Sequence, residues 1–174
     1  MPEEVSRGSH VIVRRTEPGD YDALQRIFSG PRAVAGTMQM PLPSVEMWRR
    51  RLEEPLDGLF SLVACVDGEV VGSLSFETFT RWRMRHVATL GMVVRDDWQG
   101  KGVGTALMEA ALDLADNWLG LTRVELQVFV DNAAAIAFRS AKASTLGSSR
   151  SPQNTPLTSS VPSSLKAIRS LSIL

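Results

Sequence analysis

The chain has little from which covalent cross-links or a membrane span could be built. Its 174 residues include one cysteine, so no disulfide can form within it. No run of eighteen apolar residues occurs, whereas a helix that crosses a bilayer needs about twenty. The first ten residues are polar and acidic, unlike a signal peptide. We therefore expect a cytoplasmic protein that has no membrane partner.

The single cysteine also argues against thiol or metal chemistry. Cys65 lies in the apolar run 62–66, and this setting is typical of a buried strand thiol rather than of a nucleophile or a metal ligand. We predict no metal site.

Acidic residues are missing from the last part of the chain. All 19 acidic residues and 14 basic ones lie in residues 1–138, a net charge of −5, whereas residues 139–174 hold five basic residues and no acidic one. That segment is rich in Ser, Thr and Pro and has no aromatic residue, so it lacks the large apolar groups that offset ordering entropy. We predict one domain over 1–138 and a poorly structured tail over 139–174.

The apolar patterns of residues 1–138 alternate between strand and helix. A strand over 10–16 precedes a helix capped by Asp20, and a loop over 29–44 precedes a helix capped by Ser44. Strand patterns follow at 59–66, 69–78, 86–94 and 124–130, with a helix over 105–118 and another that begins at residues 131–132. The two-residue turn Asp67-Gly68 favours a tight hairpin. The order predicts a mixed α/β fold.

A glycine-rich hexapeptide joins the strand ending at Val94 to the helix 105–118. Glycines allow close backbone approach, and the free N–H groups that open a helix attract anions. The segment predicts a phosphate cradle for a nucleoside triphosphate, a dinucleotide or the pyrophosphate of coenzyme A. Its residues are Gln99, Gly100, Lys101, Gly102, Val103 and Gly104.

The sequence matches neither the nucleoside-triphosphate motif nor the dinucleotide motif. No Gly-Lys-Ser/Thr sequence occurs anywhere, so the Walker loop is excluded. The spacing Gly-x-Gly-x-Gly, deep in the chain, also differs from the dinucleotide motif Gly-x-Gly-x-x-Gly. The pattern Gln/Arg-x-x-Gly-x-Gly after a strand instead resembles the Gcn5-related N-acetyltransferases (GNAT family).

Further stretches resemble the branch of that family that acts on amino acids and small amines. They are Met38-Gln39-Met40-Pro41, Met47-Trp48, His86-Val87-Ala88, Asp116-Asn117-Trp118-Leu119 and residues 123–133. The resemblance covers residues 10–138. It implies a mostly antiparallel central sheet flanked by helices, acetyl-CoA as the acetyl donor, a small-molecule amine as the acceptor, and no nucleic-acid partner.

The resemblance also implies which residues hold the donor. In this family the strand before the loop splays from its neighbour, and the pantetheine arm pairs with it, here with Met92, Val93 and Val94. The amides of residues 99–104 would hold the pyrophosphate, with Lys101 adding a charge. Asn132, which opens the last family helix, would hold the pantetheine or a water molecule and could also act as an N-cap.

The groups that move protons are less clearly marked. Family members often carry a Tyr that protonates the leaving thiolate, and its position here is Arg139. As base, His86 has a suitable ordinary pKa, and Glu125 shares a strand face with Gln127, where relatives sometimes carry a glutamate. A structural role remains open for both His86 and Glu125, and positioning alone could supply most of the rate.

The tail departs from the family's ending, which continues Tyr, three residues, Gly-Phe and a closing hairpin. If residues 142–145 are encoded AAG-GCT-TCG-ACN, a two-base shift reads Gly-Phe-Asp. We hypothesise a reading-frame change near residue 139, which sequencing the coding DNA tests. Loss of the hairpin would leave a sheet edge unpaired and favour aggregation, dimerisation or swapping.

Three functions follow from this sequence. The first is N-acetyl transfer from acetyl-CoA to a small amine in a ternary complex. The second is a CoA-binding protein of the same fold with impaired catalysis, and the third is an interaction module that uses the basic tail.

Overall fold

A computed structural model describes residues 10–129, 131–133, 135–137 and 168–172 of the chain. Short 3-10 turns lie at Pro18–Asp20, Trp82–Met84 and Asp96–Trp98. The helices are α1 (Tyr21–Phe28), α2 (Pro31–Gly36), α3 (Val45–Glu53) and α4 (Val103–Asn117). The strands are β1 (Ile12–Arg15), β2 (Leu59–Val66), β3 (Glu69–Thr78), β4 (Val87–Val94), β5 (Arg123–Phe129) and β6 (Ile168–Ser172).

The strands form one sheet in the order of the sequence, β1 to β6. Every neighbouring pair is antiparallel except β4 and β5, which are parallel because α4 carries the chain back across the sheet between them. Asp67 and Gly68 form the hairpin between β2 and β3 with φ of 50° and 83°. The prediction of a mixed, mostly antiparallel sheet flanked by helices is confirmed.

Helix α4 covers one face of the sheet. Its buried residues, among them Leu107 and Met108, pack on a core that includes Leu74 and Val124. The packing is close at Gly72 of β3, where a β-carbon would stand 2.9 Å from Val103 Cγ1. This contact fixes the start of α4 against the sheet.

Helices α1 and α3 cover part of the opposite face. Ile27 of α1 and Trp48 of α3 pack on Val63, Cys65 and Val93 of the sheet. Cys65 is a free, buried thiol, as predicted. Since these helices leave part of this face uncovered, the sheet can form the floor of a site there.

Two details of the segment before β2 correct the sequence-based picture. Residues 31–36, predicted as loop, form α2, because a proline at the first helical position has a φ suited to a helix start. Asp20 is not the side-chain cap of α1; its carboxylate accepts from the Glu17 amide and the Arg14 guanidinium, each at 2.8 Å. The Ser44 cap of α3 is confirmed, since Ser44 Oγ accepts from the Met47 amide.

Strand β6 lies within the segment predicted to be poorly structured. It pairs antiparallel with β5, from Phe129 opposite Ile168 to Glu125 opposite Ser172. The hypothesised loss of the closing hairpin would leave a sheet edge unpaired, whereas β5 is paired with β6, because strand pairing uses backbone groups that the tail also has. Arg139 and the rest of residues 138–167 lie outside the described residues, so the frame-change hypothesis stays a prediction.

Candidate functional site

The parallel pair β4 and β5 separates before either strand ends. Paired residues run from Val87 opposite Arg123 to Leu90 opposite Leu126. Beyond that point β4 continues to Val94 and β5 to Phe129 without further pairing between them. The separation leaves space between two strand ends, directly before the glycine loop.

A cavity of about 670 Å³ occupies this space and extends across the sheet. Its floor includes Ser73, Ser75 and Glu77 of β3 and Thr89 and Gly91 of β4. These residues share one sheet face because Ser75 pairs with Gly91 and Glu77 with Thr89. The other lining residues come from α1 to α3, the loop after α2, the start of β2, β4, the glycine loop, the start of α4, the end of β5 and the segment after it: Phe28, Gly36, Thr37, Met38, Gln39, Arg51, Leu59, Leu90, Met92, Val93, Val94, Gln99, Gly100, Gly102, Gly104, Thr105, Leu126, Gln127, Val128, Phe129, Asn132 and Ala135.

The glycine loop forms an open turn at one end of this cavity. Gly100 and Gly102 have φ of +75° and +83°, a region that favours glycine. A β-carbon on either would meet nothing within 4 Å, so conformation rather than crowding requires glycine there. The Ala106 amide donates to the Gly102 carbonyl at 3.0 Å, and the amides that precede it at the helix start have no intrahelical acceptor.

Eight of the ten predicted donor-binding residues line the cavity. Lys101 and Val103 do not. Lys101 Nζ lies 4.8 Å from the centroid of the Trp98 ring, and Val103 is buried in the core under α4. Gln99 Nε2 donates to the Val94 carbonyl at 3.3 Å, which ties the loop to the end of β4.

Asn132 lines the cavity and also caps the segment after β5. Its Oδ1 accepts from the Ala135 amide at 3.1 Å, the N-cap geometry. Its Nδ2 lies 3.2 Å from the position that a β-carbon on Gly36 would occupy. Asn132 thus lies between α2 and the strand-end opening.

Neither of the two predicted bases lines the cavity. His86 is exposed just before β4, at the end opposite the glycine loop, and its carbonyl accepts from the Thr122 and Arg123 amides. Glu125 Oε1 lies 2.6 Å from Arg123 Nη2, with a fifth of its side chain exposed. Their catalytic roles stay predictions, which the kcat values of His86→Ala and Glu125→Gln variants test.

Two charged residues of the cavity are not predicted from sequence: Arg51 of α3 and Glu77 of β3. They are the only residues with a formal charge among those that the structure describes in its lining. A signal for Glu77 exists, because Ser73, Ser75 and Glu77 alternate as a polar stripe within an otherwise apolar strand. No sequence pattern singles out Arg51, because it is the last of three consecutive arginines.

A second cavity of about 160 Å³ branches from the first. The two share lining residues that include Phe28, Gln39 and Arg51. Trp48 Nε1 and Thr16 Oγ1, both from residues that line the smaller cavity, are buried without a hydrogen-bond partner among the described residues. Buried donors of this kind are rare in proteins unless a ligand or water molecule meets them.

The part of the chain that the structure describes contains no cluster of three or more His, Cys, Asp or Glu side chains that could hold a metal ion. Within the same residues, no helix is both long and apolar enough to span a membrane.

Comparison with known proteins agrees with this geometry. A model of the acetyltransferase (GNAT) family matches residues 22–140. L-amino acid N-acetyltransferase AaaT of Escherichia coli K12 is 44% identical over 128 residues, which are 74% of this chain and 78% of that protein.

Solved structures show the same fold. A ribosomal-protein-alanine N-acetyltransferase from Brucella melitensis superposes with a TM-score of 0.64 at 27% identity, over 75% of this chain and 82% of its own. The yncA protein of Salmonella typhimurium, solved with its cofactor acetyl-CoA, has a TM-score of 0.63 at 23% identity, over 75% and 77%. The family match, the 44% identical relative and the shared fold agree with the resemblance carried by the glycine loop, and the chain belongs to the GNAT family of acetyltransferases.

Proposed function

We propose that this acetyltransferase transfers the acetyl group of acetyl-CoA to the primary amine of an amino acid or a similar small molecule, by direct attack in a ternary complex. The observation that carries the proposal is the continuity of one cavity from the glycine loop, past the splayed ends of β4 and β5, to the polar floor of the sheet. Donor and acceptor can therefore meet in one space.

The residues present fit the donor. Open backbone amides at the start of α4 suit a pyrophosphate, since the N–H groups and the helix dipole both favour an anion. The unpaired end of β4, Met92 to Val94, suits an extended amide-containing arm, because such an arm can hydrogen-bond like a strand. When bound, acetyl-CoA would supply an activated acetyl thioester at the strand opening.

The cavity floor would then hold the acceptor. Ser75, Thr89 and Gln127 offer hydrogen-bonding groups around the strand opening. Holding the amine beside the thioester accounts for a large share of the rate that such a reaction needs. The Escherichia coli relative is named as an L-amino acid N-acetyltransferase, which supports an amino acid as acceptor.

Thiol release from acetyl-CoA, measured against a panel of amino acids, amines and peptide N-termini, tests the proposal. We expect release that depends on the acceptor and yields an acetylated product of the matching mass. A full chain that binds acetyl-CoA in calorimetry yet releases no thiol with any acceptor would instead identify the catalytically impaired form. A chain that does not bind acetyl-CoA contradicts both.

The impaired form is the second candidate, and one sequence observation favours it. The family's Tyr position holds Arg139, and the only tyrosine, Tyr21 of α1, packs against the core between α1, α3 and the sheet rather than lining the cavity. A slow but acceptor-dependent turnover would show that transfer proceeds without the family's tyrosine.

A further inference from the structure

We infer that Arg51 and Glu77 recognise the two ends of a free α-amino acid: Arg51 binds its carboxylate, and Glu77 accepts a proton from its ammonium group. The inference rests on the proposed function and deepens it, since it names the acceptor class and the base.

The first observation is the isolation of Glu77. Its side chain is exposed into the larger cavity and has no hydrogen bond or ion pair among the described residues. Glu125, on the next strand but one, is paired with Arg123. An unpaired carboxylate that faces a cavity is free to receive a cationic ligand.

The second observation is the position of Glu77 opposite Thr89. These two residues are cross-strand partners, so their side chains stand side by side on the cavity floor. Thr89 is in turn the partner of Glu125 in the register of β4 and β5, one residue before the last pair, Leu90 and Leu126, at which the strands separate. Glu77 therefore lies one strand away from the opening where the thioester would sit.

The third observation is that Arg51 lacks an acidic partner. Its neighbours Arg49 and Arg50 both pair with Glu46. The Arg51 guanidinium instead lies 5.1 Å from the Trp48 ring centroid, and its Nη1 is 3.4 Å from Gln39 Oε1. No carboxylate among the described residues meets it, and a guanidinium is suited to bind one in two-pronged fashion.

The fourth observation is the branch of the cavity at Arg51. The smaller cavity of about 160 Å³ starts beside this residue, and an engineered cavity of about 150 Å³ holds benzene. An amino acid whose carboxylate lies at Arg51 can place its side chain in this branch, with its amine directed into the larger cavity. Recognition of all three groups on one α-carbon is what separates an amino acid from a simple amine.

The proton balance is closed by the acceptor amine, Glu77, the CoA sulfur and water. The ammonium gives one proton to the Glu77 carboxylate, and the neutral nitrogen attacks the thioester carbon. The C–N bond forms and the C–S bond breaks, with the electron pair leaving on sulfur. The second proton of the nitrogen ends on the CoA sulfur, and Glu77 returns its proton to solvent.

The matched substrates for the test are the standard L-amino acids and their carboxamides, which lack the carboxylate charge that Arg51 would bind and also have a less basic amine, so that the effect of Arg51 is measured by comparing each pair between the unmodified chain and the variant. For the unmodified full chain we expect kcat/KM to favour the acid form by about tenfold or more, the size of effect that charged hydrogen bonds give. The Arg51→Gln variant should lose this preference through KM. The Arg50→Gln variant, altered one residue away on an exposed ion pair, should keep it.

The Glu77→Gln variant should lower kcat by roughly a hundredfold while the KM for acetyl-CoA changes little. Its rate should also rise with pH, because the neutral amine must then come from the solution equilibrium. Glu54→Gln, on an exposed carboxylate at the end of α3, is the control. A Glu77→Gln variant with unchanged kcat and pH profile overturns the assignment of the base.

Binding separates this inference from the proposed function. Calorimetry of the same acid and carboxamide pairs with the full chain plus CoA requires no turnover. If the chain binds acids and carboxamides equally, the inference fails even when acetyl transfer is found. If it prefers acids through Arg51 but releases no thiol, carboxylate recognition stands while the proposed transfer fails.

Discussion

The side-chain amide nitrogen of Asn132 lies 3.2 Å from the point where a β-carbon on Gly36 would stand. The end of α2 thus approaches the segment after β5 across the opening of the larger cavity, and both residues line it. Glycine at the last position of α2 permits this approach without a bend in either element.

Replacing Gly36 with Ala should disturb the donor site more than the fold. The added carbon would push Asn132 by a few tenths of an ångström, against its cap on the Ala135 amide. We expect the KM for acetyl-CoA to rise roughly twofold to fivefold, equivalent to about 1 kcal/mol or less. Gly19→Ala, where a β-carbon meets nothing within 4 Å, is the control; an equal KM for both variants would contradict the prediction.

Replacing Gly102 with Ala separates backbone strain from cofactor binding. Both Gly102 and Gly68 have a φ of +83° with nothing within 4 Å of an added β-carbon. Alanine at either site should cost about 1 to 2 kcal/mol of unfolding free energy. Only Gly102→Ala should also weaken acetyl-CoA binding in calorimetry, because Gly68 lies in the β2–β3 turn. Equal affinities in the two variants would remove the loop from the donor site.

Asp20 should contribute to acid stability. Burial alone would raise the pKa of Asp20, but hydrogen bonds from the Arg14 guanidinium and the Glu17 amide, with the charge of Arg14, lower that pKa below its ordinary value of 3.8. A lowered folded-state pKa means that the unfolded chain binds the proton more readily. The stabilisation is therefore complete above pH 3.8 and is lost as the pH falls through the lowered pKa.

Urea unfolding from pH 7 down to pH 2 measures this effect. Asp20→Asn should cost about 1 to 2 kcal/mol at pH 7, since Arg14 is partly exposed, and should cost little at the acidic end. Asp22→Asn, on an exposed carboxylate in α1, is the matched control. A constant difference between Asp20→Asn and the unmodified chain across the range would show that the pKa is not lowered.

The Nε1 group of Trp48 should affect binding of the acceptor more than it affects the stability of the fold. This donor is buried without a partner among the described residues, so its removal leaves no broken hydrogen bond. The ring stacks on Phe28 at 4.7 Å, and Trp48→Phe keeps an aromatic ring there. We expect the free energy of unfolding of Trp48→Phe to lie within about 1 kcal/mol of that of the unmodified chain, once the cost of the smaller ring volume is taken into account.

The acceptor kinetics of Trp48→Phe give the decisive measurement. The KM for amino acids whose side chains carry a hydrogen-bond acceptor should rise, and the KM for acetyl-CoA should stay unchanged. Equal changes for polar and apolar amino acids would show that Nε1 faces no acceptor group.

Local patterns account for most of the secondary structure and for the donor loop. Alternating apolar residues predict β2 and β3, and the Asp67-Gly68 turn between them needs only two residues in left-handed torsions. Gly100 and Gly102 adopt the positive φ that their spacing suggests. Each of these features is decided by neighbours along the chain.

Two elements of the structure, α2 and β6, were not predicted, for positional and long-range reasons respectively. From the sequence, α2 is assigned to a loop because it contains Pro31. Proline breaks a helix in its interior but is well suited to its first turn. The pairing of β6 with β5 joins residues about forty positions apart, where no local signal operates.

Periodicity and the torsions that only certain residues adopt were enough to predict β1 to β5, the helices α1, α3 and α4, and the glycine loop before α4, and the motifs of that loop carried the family resemblance. Which charges share the cavity depends instead on strand register and helix packing. Strand register places Glu77 beside Thr89, and the packing of α3 brings Arg51 to the same space. Glu125, which the sequence also offers as a base, instead forms an ion pair with Arg123, because side-chain partners depend on distance in space.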